Sequence, residues 1–228
     1  MPTLDSVIAL PFRVGSALRG ARVFHPRGFL CEGRWEIART SPAAPGAEAL
    51  TAGAGFDCLV RVSRGAGLPD GLPDFCGFAV RLLDAYGPGL DQDLLINASA
   101  DLPVAHNVFL PAPRWFAQSY STCLPYRAGA GLVVVGLLPP DRRGPGPSLD
   151  AMRAAVIEGT TFGVAVSTML GRWEPIGTLR LRGPLSNADV SFDPWNTGGG
   201  LLPATWLNRL RREAYRQSRL GRGAPPAG

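Results

Sequence analysis

Arg22-Val23-Phe24-His25-Pro26-Arg27-Gly28 stands near the start of the chain, and Gly33-Arg34-Trp35-Glu36 follows within a few residues. Residues 29–38 alternate apolar and polar, which predicts a half-buried strand leading out of the histidine. His25 is one of only two histidines among 228 residues. Taken alone, a histidine in a loop is an ordinary structural residue. It gains weight from a second stretch at the other end of the chain: Phe192-Asp193-Pro194-Trp195-Asn196, then Pro203, then Arg211-Arg212-Glu213-Ala214-Tyr215. Arg211 and Tyr215 are four residues apart, so on a helix they share one face. A guanidinium beside a phenol can hold it as phenolate. That needs a drop of roughly 3 units from a reference pKa of about 10, or about 4 kcal/mol. Read as a helix alone, 204–220 is equally an exposed amphipathic helix with a surface tyrosine.

Between the two ends lie Val60-Arg61-Val62-Ser63 and Asp74-Phe75-Cys76-Gly77-Phe78-Ala79-Val80-Arg81. Together the three stretches resemble, in order, the distal segment R-V-x-H-x-[KR]-G, the strand pair V-R-F-S…D-x-R-G-F-A-V-K and the proximal segment F-x-P-x-N…R-x-x-x-Y of the haem catalases. The resemblance covers about residues 20–115 and 190–222, and the middle matches in pattern only. It implies a reduced, barrel-core member of the catalase-like superfamily.

Strand expectations arise separately, from apolar alternation and β-rich runs. They fall at 29–38, 56–63, 76–84 and 93–97, then at 131–138, 161–169, 176–182 and 186–192. Four plus four strands suit an eight-stranded antiparallel barrel, which leaves no exposed edge. The predicted class is α+β, mainly β. Helices are expected at 148–158, capped by Ser148, and at 204–220 as a C-terminal haem-ligand helix. The segment 103–120 is read as part helix. Residues 41–55 and 139–148 read as loops, the first of them flexible. The expected layout is an arm at 1–21, a haem-binding barrel domain at 22–222 and a disordered tail at 223–228.

The resemblance implies haem b (iron protoporphyrin IX) as cofactor, with Tyr215 as the metal ligand and Arg211 beside it. Arg22, Arg61 and Arg219 (or Arg222) would pair the propionates, since guanidinium forks bind carboxylates bidentately. Phe78 joins them as a cofactor contact. His25 would shuttle the peroxide proton, and Ser63 would hydrogen-bond the imidazole and fix its tautomer. The distal amide is ambiguous. Counting from Asp93 selects Asn97, and counting back from Pro103 selects Asp101. Where catalases carry an aromatic doublet, this chain has Val104-Ala105-His106-Asn107. His106 is therefore either a second distal polar group or a helix residue facing solvent.

Composition narrows the remaining classes. A hydrophobic content of 46% suits a packed core, and 29 glycines with 22 prolines suit many turns. The chain contains no lysine, a bias that reads as coding preference. The formal charge is +5, much of it from Arg209, Arg211, Arg212, Arg216, Arg219 and Arg222. No nucleic-acid motif accompanies that cluster, so no nucleic-acid partner is expected. No apolar run is long enough for a membrane span, and no secretory leader is recognised. Cys31, Cys58, Cys76 and Cys123 lack CxxC spacing and read as reduced core thiols of a cytoplasmic protein.

These features predict a haem-dependent peroxidase or peroxygenase acting on hydrogen peroxide or organic hydroperoxides, with a small organic co-substrate. The shortness of the chain favours organic substrates over peroxide dismutation. A hydroperoxide isomerase of the allene oxide synthase type, a haem storage or sensing protein and a haemless relic remain alternatives. Assembly into a homo-oligomer is left open.

Overall fold

The computed structural model describes residues 27–141, 143–185 and 190–204. The strands are β1 (Arg27–Ile37), β2 (Gly55–Arg64), β3 (Cys76–Leu82), β4 (Gln92–Ala98), β5 (Tyr120–Ser121), β6 (Tyr126–Ala128), β7 (Gly131–Leu138), β8 (Thr161–Thr168), β9 (Glu174–Leu185) and β10 (Leu201–Pro203). One α-helix, α1 (Leu149–Glu158), is described. Every ladder pairing is antiparallel, and the sheet order runs β10-β6-β7-β5-β4-β3-β2-β1-β9-β8, with β8 also pairing to β7. That last pairing closes eight strands into a barrel, and β6 and β10 extend from its β7 side.

Alternation along each strand builds the interior. Val60 and Val62 of β2, Phe78 and Val80 of β3, and Leu94 and Ile96 of β4 all point inward and are buried. An eight-stranded barrel is just wide enough for side chains to fill it. Here the filling is aromatic. Phe78 meets Trp115, Tyr120 and Phe162 edge to face, at centroid distances of 5.9, 4.8 and 5.1 Å. Such geometry places a positive ring edge on a negative ring face. Replacing Phe78 by alanine would leave a core cavity, at a cost of about 3–5 kcal/mol.

Helix α1 forms where its start and stop signals say it should. Ser148 accepts a hydrogen bond from the Ala151 amide at 3.1 Å, and Gly159 ends the helix at φ +95°. Met152 and Val156, four residues apart, are its buried face, and Arg153 lies 4.6 Å over the Phe29 ring.

Several strand expectations differ from the structure. The eighth strand of the ring is the two-residue β5, between β4 and β7; of the expected strand 186–192, residues 186–189 lie outside the described set and 190–192 are irregular. Strand β9 is longer than expected and runs to Leu185. In 103–120 the only helical turn is a 3-10 turn at Ala105–Asn107. Residues 41–55 are not a flexible loop. Ala44, Ala47, Ala49 and Leu50 are buried in the core, and the Ala49 carbonyl accepts the Trp35 indole N–H at 3.0 Å. Small residues let this backbone run close to the barrel. The expected helix 204–220 lies outside the described residues, apart from Ala204.

Candidate functional site

The residues that alternate with the core set lie on the outer face of the first four strands. Arg61 and Ser63 on β2, Gly77, Ala79 and Arg81 on β3, and Asp93, Leu95 and Asn97 on β4 all point that way. Register lines them up in rows across the sheet. Gly28 pairs with Ser63, Ser63 with Gly77, and Gly77 with Asn97. One step along the strands, Arg61 pairs with Ala79 and Ala79 with Leu95. A further step brings Arg81 opposite Asp93. From Asp93 to Asn97 the strand advances about 13 Å.

The rows differ in chemistry. The first carries Ser63, 5% exposed, and the half-buried Asn97, on either side of Gly77, which has no side chain. Asn97 makes no side-chain hydrogen bond to any described residue. The middle row is flat and apolar at Ala79 and Leu95, with the Arg61 guanidinium at its β2 side. Gly28 passes close above this corner. A Cβ placed on it would lie 2.6 Å from the Val62 carbonyl, 3.1 Å from the Ser63 Cβ and 3.4 Å from Arg61 Nη2. Only glycine fits there, because any Cβ would clash with the Val62 carbonyl.

The third row anchors the far segment of the chain. Arg81 grips the fully buried Asp93 with two bonds, Nε to Oδ1 at 2.7 Å and Nη2 to Oδ2 at 2.6 Å. Asp93 also accepts from the Asp193 amide at 2.7 Å and from Asn196 Nδ2 at 3.3 Å. In return the Asp93 amide donates to the Asn196 carbonyl at 2.8 Å. Arg81 Nη2 also donates to the Ser191 carbonyl, and its guanidinium sits 5.3 Å over the Phe192 ring. Burial pushes the Asp93 carboxyl up, its donors pull it down, and the Asp93 hydrogen bond raises Arg81. Phe192, Asp193 and Asn196 are therefore clipped beside the outer face, about 100 residues away from the strands that hold them.

Asp74 has a purely local role. Its carboxylate accepts from the amides of Ala66, Phe75 and Leu68, and the buried Arg64 lies beside it at 3.3 Å, which fixes the loop before β3.

Of the site residues expected from sequence, Arg61, Ser63 and Asn97 fall on this one face. Asp101 does not. It is exposed in the bend beyond β4, off the strand that carries Asn97. Phe78 is a correction: β3 alternation turns its ring into the barrel, away from Arg61 and Ser63, so it packs the core and cannot touch a ligand on the outer face. His106 lies in the 3-10 turn but does not face solvent: it is 1% exposed, with its ring tilted against Trp173 at 5.0 Å. Arg22, His25, Arg211, Tyr215 and Arg219 lie outside the described residues. Sequence reading missed Gly77, Ala79 and Leu95 as lining residues. Strand alternation, counted from Ser63 and Asn97, carries that signal.

The face suits haem in its donor set. It has a flat apolar floor at Gly77, Ala79 and Leu95, a guanidinium at Arg61 and two small polar groups, Ser63 and Asn97, at one end. No helix among the described residues is long and apolar enough to cross a membrane.

No family profile and no curated protein matches the sequence. Solved structures do. A bacterial catalase superposes with a TM-score of 0.66 at 15% identity, covering 96% of this chain and 61% of that one. A fungal catalase gives 0.58 at 14% identity, covering 90% and 60%. Catalase A from Saccharomyces cerevisiae gives 0.59 at 14% identity, covering 89% and 62%. The chain has the catalase-like eight-stranded barrel fold and spans about 60% of the length of these catalases.

Proposed function

We propose that the chain is a haem-dependent oxidoreductase of the catalase-like kind, using hydrogen peroxide or an organic hydroperoxide to oxidise a small organic substrate. The observation that carries this reading is the register of Gly28, Ser63, Gly77 and Asn97 on one outer face, with Arg61 beside them and Phe192–Asn196 clipped to the same strands. Haem b, when bound, supplies a ferric iron at which the peroxide O–O bond breaks. Tyr215 would ligate it as phenolate, held charged by Arg211. Arg61, Arg22 and Arg219 would pair its carboxylates.

The protein groups handle the proton and the orientation. His25, as neutral imidazole, takes the proton from the attacking peroxide oxygen and returns it to the departing one, which leaves as water or an alcohol. The Ser63 hydroxyl holds the ring in one tautomer. The Asn97 amide donates to the peroxide and sets its angle. Replacing His25 by alanine should keep haem bound while slowing the reaction with peroxide by roughly 10²–10⁴-fold. Stopped-flow absorption on wild type and variant, with phenolic dye oxidation as the steady-state readout, checks this. Equal rates would remove His25 from the chemistry. Haem that binds but never reacts with peroxide would replace the reading with a haem carrier.

A further inference from the structure

Outside β7, the turn Ala105–Asn107 meets the 169–173 turn between β8 and β9. Asn107 Nδ2 donates to the Val104 and Met169 carbonyls at 2.9 and 3.1 Å, tying the two together. The Trp173 ring lies against Gly136, where a Cβ would come within 2.5 Å of it. Gly136 pairs with Ser121, and Ser121 with Asn97. The corner therefore stands at the end of the same row that carries Ser63 and Asn97, two strands or about 10 Å beyond Asn97.

Three buried polar atoms in this corner have no hydrogen-bond partner: His106 Nε2, Asn107 Oδ1 and Trp173 Nε1. Buried polar atoms are almost always hydrogen-bonded, so three unpartnered ones together need an explanation. The backbone beside them is also unusual. Val104 adopts φ +68°, ψ −46°, and the Ala105 amide bonds back to the Pro103 carbonyl at 2.8 Å. This is a tight γ-turn, strained for a β-branched residue, of the kind that collects at ligand sites. Around it the loops expose Leu102 (65%), Val104 (55%) and Leu170 (73%).

We propose that this corner binds a small uncharged amphipath with a hydroxyl or hydroperoxyl head. The Trp173 N–H donates to the head oxygen, and the head O–H donates to Asn107 Oδ1 or His106 Nε2. The apolar body lies along Leu102, Val104 and Leu170. A charged head is disfavoured, because a buried charge needs a counter-ion. Burial lowers the His106 pKa, which favours the uncharged ring. That this molecule is the organic substrate of the proposed peroxide chemistry rests on that reading; the binding itself does not.

The test uses the full chain without added haem, so failure here and failure of haem binding are read separately. The probe is 2-phenylethanol, with ethylbenzene and phenylacetate as controls. The readout is the Trp173 indole N–H resonance, assigned by its loss in Trp173→Phe. The alcohol should shift it saturably, and neither control should. His106→Phe should weaken binding about five- to tenfold. Leu170→Ser, on the surface and safe for folding, should weaken it severalfold. No saturable shift, an equal shift with ethylbenzene, or unchanged affinity in both variants would overturn the proposal.

Discussion

Asn97 and Asp101 are four residues apart in sequence and belong to different environments. Asn97 sits on β4 opposite Gly77, with Ser63 on the far side of that glycine, while Asp101 is exposed in the bend that follows. In the proposed chemistry the group that orients peroxide must share a face with Ser63. Asn97→Ala should therefore slow the peroxide reaction of the haem-loaded protein by on the order of 10²-fold, the cost of lost orientation. Asp101→Ala should leave it within about twofold of wild type. Stopped-flow absorption at equal haem concentration decides between them, and the reverse pattern would transfer the role to Asp101. Counting offsets in the sequence could not choose, because the stretch after β4 differs in length from the catalase pattern. Strand alternation and register put Asn97, and not Asp101, on the face of Ser63. The same rule explains Phe78. Its place in a motif marked the strand correctly, but one position along a strand reverses the face.

The clip between strands and distal chain belongs to the scale of elements. Arg81 on β3 and Asp93 on β4, bonded to each other, hold residues 191–196 through four hydrogen bonds. Asp93→Ala would remove the main partner of a partly buried guanidinium, which keeps Asp91 at 3.8 Å, at a cost of about 1–3 kcal/mol. Urea unfolding followed by circular dichroism checks the loss. A change below 1 kcal/mol would mean that the clip carries little of the stability. Periodicity made β1 to β4 and β7 to β9 legible, because each is long enough to show alternation. It could not reveal β5, which spans two residues, nor the burial of 41–55, whose prolines and glycines read as a loop. There, alanines make close packing feasible without any periodic signal.

Over the whole molecule, the barrel interior buries acids that resist ionisation. Burial pushes the thiols of Cys31, Cys58 and Cys76 from 9.0 up to about 12. Burial raises Tyr120 as well. An acid whose folded value is raised contributes stability that is fully present below its unfolded value and lost as pH rises toward the folded one. Stability should therefore hold at pH 8 and fall between about pH 9 and 12, by up to about 1.4 kcal/mol per pH unit for each group. The chain contains no lysine, so no ammonium titration obscures that window. Denaturation midpoints at pH 8, 9.5 and 10.5 measure the slope, and a flat profile would contradict the burial of these groups. The same thiols should resist alkylation at pH 8 until the protein unfolds.

The catalase-like barrel was legible from motifs and strand count together, whereas the arrangement of the outer face needed the register. The central claim, that this face and the segments bearing His25 and Tyr215 bind haem, is tested most directly by titrating ferric haem into the purified full chain and recording its absorption spectrum. The account predicts saturation at one haem per chain, with phenolate charge-transfer features that disappear in Tyr215→Phe and weakened binding in Arg61→Leu. A titration that never saturates, or a Tyr215→Phe spectrum identical to wild type, would contradict it.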